Sequence, residues 1–417
     1  MNSERKEVVC VIGLGYVGLP LARLCADQYD VIGYDIDERK IEQLSIQSGE
    51  GSNRRKIEFT SSVKAIAKAS IYIIAVPTDV TDQQLPDLQP LQQATNAVAS
   101  ELSEGDLVIY EATVYPGCTE ELCVPLLEKG SGLKVSQEFD VGYSPERIVP
   151  GDTRRTLVKV NRIVAGIDPR STTRTSRFYQ SILTSEIHEV SMIRVAEAAK
   201  MLENVQRDLN ISLMNEFALI MHRLHIDTSE VIEAARTKWN FHAYKPGLVG
   251  GHCISVDPHY MIYKAKQLGI DPEVIAAGRR VNDSIPKFIV KSLVQKLIKH
   301  DKNPGHCRVL ILGLTFKENV ADTRNSKVFD LISELEDYSI ATAVYDPHVK
   351  SNQLTSDRIE LAEVPLAGYD AVIAAVAHDQ FREFDEQDFL SMMSVAPILM
   401  DVKGMYPSYA NVDYWRL

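Results

Sequence analysis

The chain has 417 residues, which is too many for one hydrophobic core, so we expect two or three domains. Its hydrophobic fraction of 45% and charged fraction of 24% are typical of a globular protein, and no apolar run is long enough to span a membrane. The formal net charge of −12 argues against nucleic acid or an anionic membrane as the main partner. The six scattered cysteines and the absence of a cleavable signal predict reduced thiols and a cytoplasmic location.

The N-terminal segment carries a dinucleotide-binding pattern. A β-branched run at residues 8–12 ends in Gly13-Leu-Gly15-Tyr-Val-Gly18, and a helical stretch at residues 19–27 leads to a second strand that ends in Asp35. Glycines let the backbone approach a pyrophosphate, which binds at the helix N-terminus. Asp35 lies 35 − 15 = 20 positions after Gly15, the spacing at which a carboxylate binds ribose hydroxyls. Because such a carboxylate repels a 2′-phosphate, the pattern favours NAD over NADP.

Three further strands are each followed by polar residues. Strands at residues 71–76 and 107–110 precede Thr78 and Thr113, and the segment 141–147, which we expect to follow a third strand, contains Glu146. Ligands of an open parallel sheet bind just beyond the carboxyl ends of its strands. The pattern therefore marks all three residues as candidates for chemistry, although each could equally be an ordinary loop residue.

Residues 189–224 contain neither proline nor glycine, which predicts one long helix. Its apolar residues occur nearly all the way round, so we expect it to be buried on most sides, between domains or against a second subunit. Lys200 and Asn204 lie one turn apart on one face. They indicate a polar pocket, while a solvated stripe with Glu197 and Asp208 is the alternative.

The segment 245–258 is rich in glycine and contains Cys253 and, four residues later, Asp257. A thiol on a glycine-rich loop beside a carboxylate is typical of a presented nucleophile. A buried structural cysteine beside a turn is the competing interpretation.

Beyond Asn303-Pro-Gly305 the sequence repeats the first pattern with a degenerate glycine turn. A strand at residues 308–312 is followed by Gly313-Leu-Thr-Phe-Lys317, and a later strand ends in Asp346. Having lost two of three glycines, this unit suits a sugar nucleotide better than a second NAD. Lys317 and Arg324 can pair with phosphate.

Together, these motifs resemble the UDP-glucose/GDP-mannose dehydrogenase family over essentially the whole chain. The resemblance implies an α/β protein with two Rossmann-like doubly wound parallel-sheet domains joined by a long central helix. It divides the chain into an NAD-binding domain at residues 1–188, a central helical domain for dimerisation and the active site at 189–300, and a UDP-sugar-binding domain at 301–417. It also implies a homodimer or a higher homo-oligomer.

The resemblance further implies a four-electron oxidation of a primary alcohol to a carboxylate, with two NAD+ and no metal. Cys253 would hold the intermediate aldehyde as a thiohemiacetal and then as a thioester. Lys200, Asn204 and Asp257 would handle the first proton and stabilise the oxyanion. Glu146 and Thr113 would direct the water that cleaves the thioester.

Binding residues are implied in the same way. Those expected to contact NAD are Gly13, Gly15, Tyr16, Val17, Gly18, Asp35, Lys40, Pro77, Thr78, Thr113 and Arg324. Those expected to contact the UDP-sugar are Glu146, Arg147, Lys200, Asn204, Tyr244, Gly250, Phe316 and Lys317.

Within the family, segments 144–151 and 238–241 resemble the UDP-N-acetylhexosamine (UDP-GlcNAc and UDP-GalNAc) 6-dehydrogenases of bacterial surface-polysaccharide synthesis. Val256, where UDP-glucose enzymes usually carry Lys, weakens a UDP-glucose assignment. Asp79, where the branch typically has Pro, and a shortened segment 47–56 are further departures. The alternatives are a UDP-glucose 6-dehydrogenase, a two-electron hydroxyacid dehydrogenase that lacks the loop Cys, and a sugar-nucleotide sensor that binds NAD without turnover.

Overall fold

The computed structural model describes residues 7–47, 57–148, 156–252, 254–350, 359–363 and 367–417. Cys253, residues 48–56 of the shortened segment and residues 149–151 of the segment 144–151 lie outside the described residues. By its internal contacts the chain divides into two units, Met1–Glu203 with His259–Ile270, and Asn204–Pro258 with Asp271–Leu417.

The first unit is built on an eight-stranded sheet in the order β10-β9-β8-β7-β4-β1-β2-β3. Its strands are β1 (Val8–Ile12), β2 (Asp30–Tyr34), β3 (Ile57–Thr60), β4 (Ile71–Ile74), β7 (Leu107–Tyr110), β8 (Asp140–Tyr143), β9 (Arg162–Gly166) and β10 (Ile187–Glu189), with a small hairpin of β5 (Asp79–Val80) and β6 (Pro86–Asp87). Its helices are α1 (Gly18–Cys25), α2 (Glu38–Gln47), α3 (Gln89–Glu101), α4 (Val124–Ser131) and α5 (Pro169–Ile182). The paired strands of the sheet are parallel except β8 and β9, which run antiparallel. The alternate apolar side chains of β1, β4 and β7 form the core with α1 and α5.

The second unit contains a six-stranded parallel sheet in the order β13-β12-β11-β14-β15-β16. Its strands are β11 (Arg308–Leu312), β12 (Ala341–Tyr345), β13 (Glu360–Leu361), β14 (Tyr369–Ala374), β15 (Met393–Asp401) and β16 (Asp413–Arg416). The remaining helices of the chain are α6 (Ile193–Leu224), α7 (Thr228–Arg236), α8 (Asp257–Gln267), α9 (Glu273–Lys299), α10 (Val328–Glu336) and α11 (Glu386–Met392). The division between the units falls within α6 and α8.

The two sheets begin with the same turn. Gly13 and Gly313 both have positive φ values, +89° and +95°. Each donates its backbone N–H over 2.8 Å to the last carbonyl of the neighbouring strand, that of Tyr34 and Tyr345 respectively. The predicted α/β fold with a repeated nucleotide-binding unit is therefore confirmed.

One local expectation was wrong. The segment 141–147 does not follow a strand, because residues 141–143 are the last part of β8 itself. Helix α9 continues to Lys299 although Pro286, a residue type that usually ends a helix, stands in its interior.

The long helix α6 begins at Ile193, four residues later than predicted, because residues 187–189 form β10, and it ends at Leu224 as predicted. In a single chain, part of its apolar surface is exposed. Six large apolar residues are between 40% and 68% exposed, and at 3.6 residues per turn they fall within about 60° around the axis. This apolar stripe comprises Val195, Leu202, Leu213, Phe217, Ile220 and Leu224. The opposite face is polar and buried, which rules out the solvated stripe proposed as an alternative for Lys200. This buried polar face comprises Glu197, Lys200, Asn204, Asp208 and Asn215.

Glu197 binds α6 to the loop before α4. One carboxylate oxygen accepts from the N–H of Gly117 at 2.5 Å, and the other accepts from the N–H and the hydroxyl of Thr119 at 3.0 and 2.7 Å. Burial raises the pKa of Glu197 from 4.5 to about 7, although these hydrogen bonds act in the opposite direction.

This pKa predicts how stability depends on pH. Because the pKa is higher in the folded chain, the stabilising contribution is present below pH 4.5 and is lost as the pH rises through 7. We expect the free energy of unfolding of the native chain to fall by up to about 3 kcal/mol relative to Glu197→Gln between pH 5 and pH 8. Urea unfolding followed by circular dichroism measures this free energy, and Glu104→Gln, at an exposed residue, is the control. An equal difference at both pH values would contradict the assignment.

Candidate active site

The turn between β1 and α1 leaves room for a phosphate. A Cβ on Gly18 would lie 1.8 Å from the carbonyl oxygen of Gly13, so only glycine fits there. A Cβ on Gly15 would meet no atom within 4 Å, so the backbone is open on that side. The turn packs against the end of β4, since a Cβ on Gly13 would lie 3.0 Å from the carbonyl oxygen of Ala75.

Asp35 stands at the end of β2 beside this turn. It accepts from the N–H of Leu14 at 2.9 Å, the N–H of Asp37 at 3.1 Å and the amino group of Lys40 at 2.9 Å. Burial raises the pKa of Asp35, but these hydrogen bonds outweigh burial, and the pKa lies below its usual value. The residues thus fit a dinucleotide, with a glycine cradle for the pyrophosphate and an ionised carboxylate for the ribose.

The other predicted NAD contacts of the first unit lie on the neighbouring loops. Tyr16 is half exposed and Val17 half-buried within the glycine turn. Pro77 is exposed and Thr78 half-buried in the loop after β4. Asp79, the departure noted in the sequence, begins the β5–β6 hairpin, and its carbonyl accepts the hydroxyl hydrogen of Tyr260 at 3.0 Å.

Thr113 and Glu146 follow two adjacent strands. In the pairing of β7 with β8, Tyr110 is opposite Tyr143, and each candidate lies three residues beyond its strand's paired residue. The hydroxyl of Tyr143 donates to the carbonyl of Ala112 at 3.2 Å, which joins the two strand ends. Glu146 is buried, and one of its carboxylate oxygens accepts from the N–H of Ile148. The structure therefore places the two candidates at the same edge of the sheet.

Arg147, predicted to bind substrate, has partners within the protein. Its guanidinium lies 2.6 Å from a carboxylate oxygen of Glu203 on α6 and donates to the carbonyl of Asn161 at 2.8 Å. These contacts hold the loop after β8 against α6. Arg236, whose role the sequence left open, is exposed and pairs with Glu233 at 3.5 Å.

In the second unit, Asn204 and Asp257 are in direct contact. The amide of Asn204 donates to a carboxylate oxygen of Asp257 at 2.5 Å, and both side chains are buried. Asp257 is the first residue of α8, four positions after Cys253. Two candidates that are 53 positions apart in the sequence thus meet on adjoining helices.

The glycine-rich loop is held by backbone contacts that side chains would block. The N–H of Gly247 donates to the side-chain oxygen of Asn215 at 2.8 Å. A Cβ on Gly250 would lie 2.4 Å from the carbonyl of Asn325, and one on Gly251 would lie 2.6 Å from the ring of Phe316. The loop therefore lies against the segment that contains Phe316 and Arg324.

The predicted phosphate-binding residues follow β11. Lys317 and Phe316 are half-buried, and Tyr244 is half-buried in the loop after α7. The guanidinium of Arg324 is bound to Asp322 at 2.7 Å. Burial raises the pKa of Asp322, but the hydrogen bonds from Arg324 outweigh it and the pKa lies below its usual value.

The sequence reasoning missed Lys403. Its amino group would lie 3.5 Å from a Cβ on Gly247, which places it against the glycine-rich loop. Burial lowers the pKa of Lys403, which is typical of an amine removed from water. The signal was available, because Lys403 follows the carboxyl end of β15, the position where ligands of a parallel sheet bind.

The chain is similar to known proteins over nearly its whole length. Three models of the UDP-glucose/GDP-mannose dehydrogenase family match it, for the NAD binding domain at residues 7–183, the central domain at 194–284 and the UDP binding domain at 310–408. The chain belongs to this family. The predicted resemblance is thereby confirmed.

Similar proteins cover nearly the full length. The UDP-N-acetyl-D-glucosamine 6-dehydrogenases of Salmonella typhi and Pseudomonas aeruginosa are 42% and 43% identical to this chain, over 96% and 95% of it and 96% of each of theirs. The solved structure of the UDP-D-ManNAc dehydrogenase from Pyrococcus horikoshii is 30% identical, has a TM-score of 0.87 and covers 98% of both chains.

As a member of this family, the protein is an NAD-dependent nucleotide-sugar dehydrogenase that oxidises a UDP-sugar. The predicted cofactor, NAD, is thereby confirmed. Among the helices of the described residues, none has the length and apolarity needed to cross a membrane.

The geometry of the turn predicts the effect of Gly18→Ala. Because its Cβ would overlap the carbonyl of Gly13, we expect the cradle to open and the dissociation constant for NADH to rise at least ten-fold. Titration of NADH fluorescence measures this.

Gly132→Ala is the control. That glycine caps α4 with a φ of +77° and has open space, so its substitution introduces backbone strain without touching the turn. It should lower stability and leave NADH binding unchanged. An unchanged dissociation constant for Gly18→Ala would contradict the predicted binding mode.

Proposed function

We propose that the protein is a UDP-N-acetylhexosamine 6-dehydrogenase that oxidises the C6 hydroxymethyl group to the uronate in two steps. The acetamido substrate is supported by the relatives at 42% and 43% identity, both named as UDP-N-acetyl-D-glucosamine 6-dehydrogenases. The mechanism rests chiefly on the buried bond between Asn204 and Asp257, because it fixes a carboxylate and an amide donor beside the loop of Cys253.

In the first step the C6 alcohol becomes an aldehyde. NAD, when bound, accepts a hydride in each of the two oxidation steps. Asp257 takes the hydroxyl proton through a water, and Lys200 stabilises the developing alkoxide. Asn204 donates a second hydrogen bond to that oxygen, and its own orientation is fixed by Asp257. Lys200 is 6% exposed, so its charge acts in surroundings that screen it little.

In the second step Cys253 makes the aldehyde oxidisable again. Its sulfur adds to the carbonyl carbon and forms a C–S bond, and the oxygen becomes the hydroxyl of a thiohemiacetal. Loss of a hydride from carbon and a proton from that hydroxyl gives a thioester. Water then adds to the thioester carbon, the C–S bond breaks, and the sulfur leaves as a thiolate.

Glu146 and Thr113 direct the hydrolytic water in this proposal. Glu146 takes a proton from the water as its oxygen attacks, and Thr113 holds it by a hydrogen bond. Their position on adjacent strand ends supports this division of roles. Lys317 and Lys403 bind the diphosphate, and Arg324 contacts the cofactor. The other residues that line the substrate site are Arg147, Tyr244, Gly250 and Phe316.

Several broader features belong to the same proposal. The three domains are residues 1–188, 189–300 and 301–417, and the enzyme acts in the cytoplasm in surface-polysaccharide synthesis. It forms a homodimer through α6, because the apolar stripe of that helix is exposed in one copy and a second copy would cover it. UDP-glucose oxidation and two-electron hydroxyacid oxidation are the alternatives that the assays below distinguish.

The yield of NADH tests the reaction. We expect two NADH per molecule with UDP-GlcNAc or UDP-GalNAc and a lower kcat/KM with UDP-glucose, measured by absorbance at 340 nm and product mass. One NADH per molecule would contradict the four-electron route and favour a two-electron dehydrogenase.

Cys253→Ser tests the covalent route. A serine ester is hydrolysed less readily than a thioester, so we expect this variant to produce at most two NADH per subunit and then stall. Mass spectrometry should detect the trapped sugar. Cys307→Ser is the control, because Cys307 donates to the carbonyl of Asn303 and serine can keep that bond. Rapid carboxylate release by Cys253→Ser would contradict the route.

The dimer is tested by charging the apolar stripe. Phe217→Glu with Ile220→Glu should convert the dimer to a monomer in light scattering, because two charges would be buried at the interface. Val395→Glu, at a residue 90% exposed outside α6, is the control and should leave the dimer intact. A dimer that persists in the double variant would refute the role of α6.

A further inference from the structure

A buried ion pair lies beside the strand ends that carry Thr113 and Glu146. Glu111 directly follows β7 and Arg162 opens β9, and their side chains are 0% and 2% exposed. The guanidinium lies 3.0 Å from a carboxylate oxygen of Glu111. Removing two charges from water is costly, and a well-packed apolar pair would often stabilise a fold as well. The presence of charge here therefore calls for a reason other than stability.

Tyr179 of α5 completes the cluster. Its hydroxyl donates to the same oxygen of Glu111 at 2.5 Å, and the guanidinium carbon of Arg162 lies 5.0 Å from the centre of its ring. The cluster thus joins the end of β7, the start of β9 and α5, and fixes Glu111 in one orientation. Thr113 is two residues beyond Glu111, so the start of its loop is fixed as well.

Glu146 is within electrostatic reach of the pair. Burial lowers the pKa of Arg162, but the charges of Glu111, Tyr179 and Glu146 raise it, and the net pKa is above the usual value. Arg162 is therefore a permanent positive charge. Burial also raises the pKa of Glu111, and Glu146 adds to that effect. In the antiparallel pairing of β8 with β9, Tyr143 is opposite Ala165, and Glu146 and Arg162 each lie three residues from that pair at the same end of the sheet.

We propose that Arg162, held by Glu111 and Tyr179, is a positioning residue for the hydrolysis of the thioester. The ion pair fixes the end of β7 and the start of β9, the strand that pairs with β8, so that Thr113 and Glu146 meet one water. Arg162 thereby holds the end of the sheet at which Glu146 lies, and Glu146 is the group that accepts a proton from that water. This inference rests on the proposed function, because it assigns the cluster to the last step of that reaction.

The experiment replaces the whole cluster by apolar residues. The triple variant Glu111→Leu, Arg162→Met, Tyr179→Phe removes both charges and the hydroxyl together, so neither charge is left buried without the other, and the variant should fold. In the proposed reaction, hydrolysis follows both hydride transfers. We therefore expect a rapid burst of two NADH per subunit within two-fold of the native rate, then a steady state at least ten-fold slower.

Glu146→Gln in both backgrounds separates positioning from simple loss of packing. If Arg162 acts through Glu146, this substitution slows the native enzyme strongly but slows the triple variant less than two-fold further. Equal losses in both backgrounds, or a triple variant with a native steady state, would overturn the inference. If the triple variant does not fold, the single variant Arg162→Lys tests the inference instead. An intact burst with a steady state at least three-fold slower supports the inference, and a native steady state refutes it.

Arg174→Met is the matched control. Arg174 of α5 pairs at 2.6 Å with Asp140, a buried carboxylate at the amino end of β8. Its loss should lower the melting temperature and leave burst and steady state unchanged. The NADH yield separates the two levels of the proposal. One NADH per sugar in the native enzyme overturns the proposed function, whereas a yield of two with unaltered variants overturns only the role of Arg162.

Discussion

Helix α6 buries its polar face and exposes an apolar stripe, and the rest of the structure depends on this constraint. A helix that buries its polar face must supply a partner for each polar group, because an unpaired one costs several kcal/mol. Glu197 binds the Gly117–Thr119 loop, Asn204 binds Asp257, and Asn215 binds Gly247. Each bond therefore fixes a different segment, and two of the three belong to the glycine-rich loop or the helix that follows it.

The same requirement explains the orientation of the neighbouring polar residues within the second unit. Asp208 accepts from the guanidinium of Arg279 at 2.6 Å and from the amide of Asn282 at 2.7 Å. Asn282 in turn accepts from the amide of Asn215 at 2.7 Å. Because every member of this network has a second partner, rotation of one side chain would leave another unsatisfied. Gly247 is thus held in place by a network that begins two turns of α6 away.

The sequence was sufficient for the fold because its strongest signals are local. The glycine turn, the carboxylate at the end of β2 and the alternating strands all follow from short patterns. The buried face of α6 could not be predicted, because apolar residues occur on both of its faces. Lys403 and the cluster of Arg162 were also missed, because they come together only through long-range packing. A local signal can also be overridden by the tertiary structure, as at Pro286, which stands inside α9 although proline usually ends a helix.

The two nucleotide-binding units show how one turn can serve different ligands. Asp346 accepts from Leu314 at 2.6 Å as Asp35 does from Leu14, but it also binds the buried His378 at 3.1 Å. Nδ1 of His378 accepts from a backbone N–H, so its Nε2 carries the hydrogen and donates to Asp346. Where the first unit has the open Gly15, the second has the buried Thr315, whose hydroxyl donates to the carbonyl of Lys317 at 2.9 Å. The side chain of Asp346 is 0% exposed whereas that of Asp35 is 12% exposed, so only the first unit leaves its carboxylate accessible to a ribose.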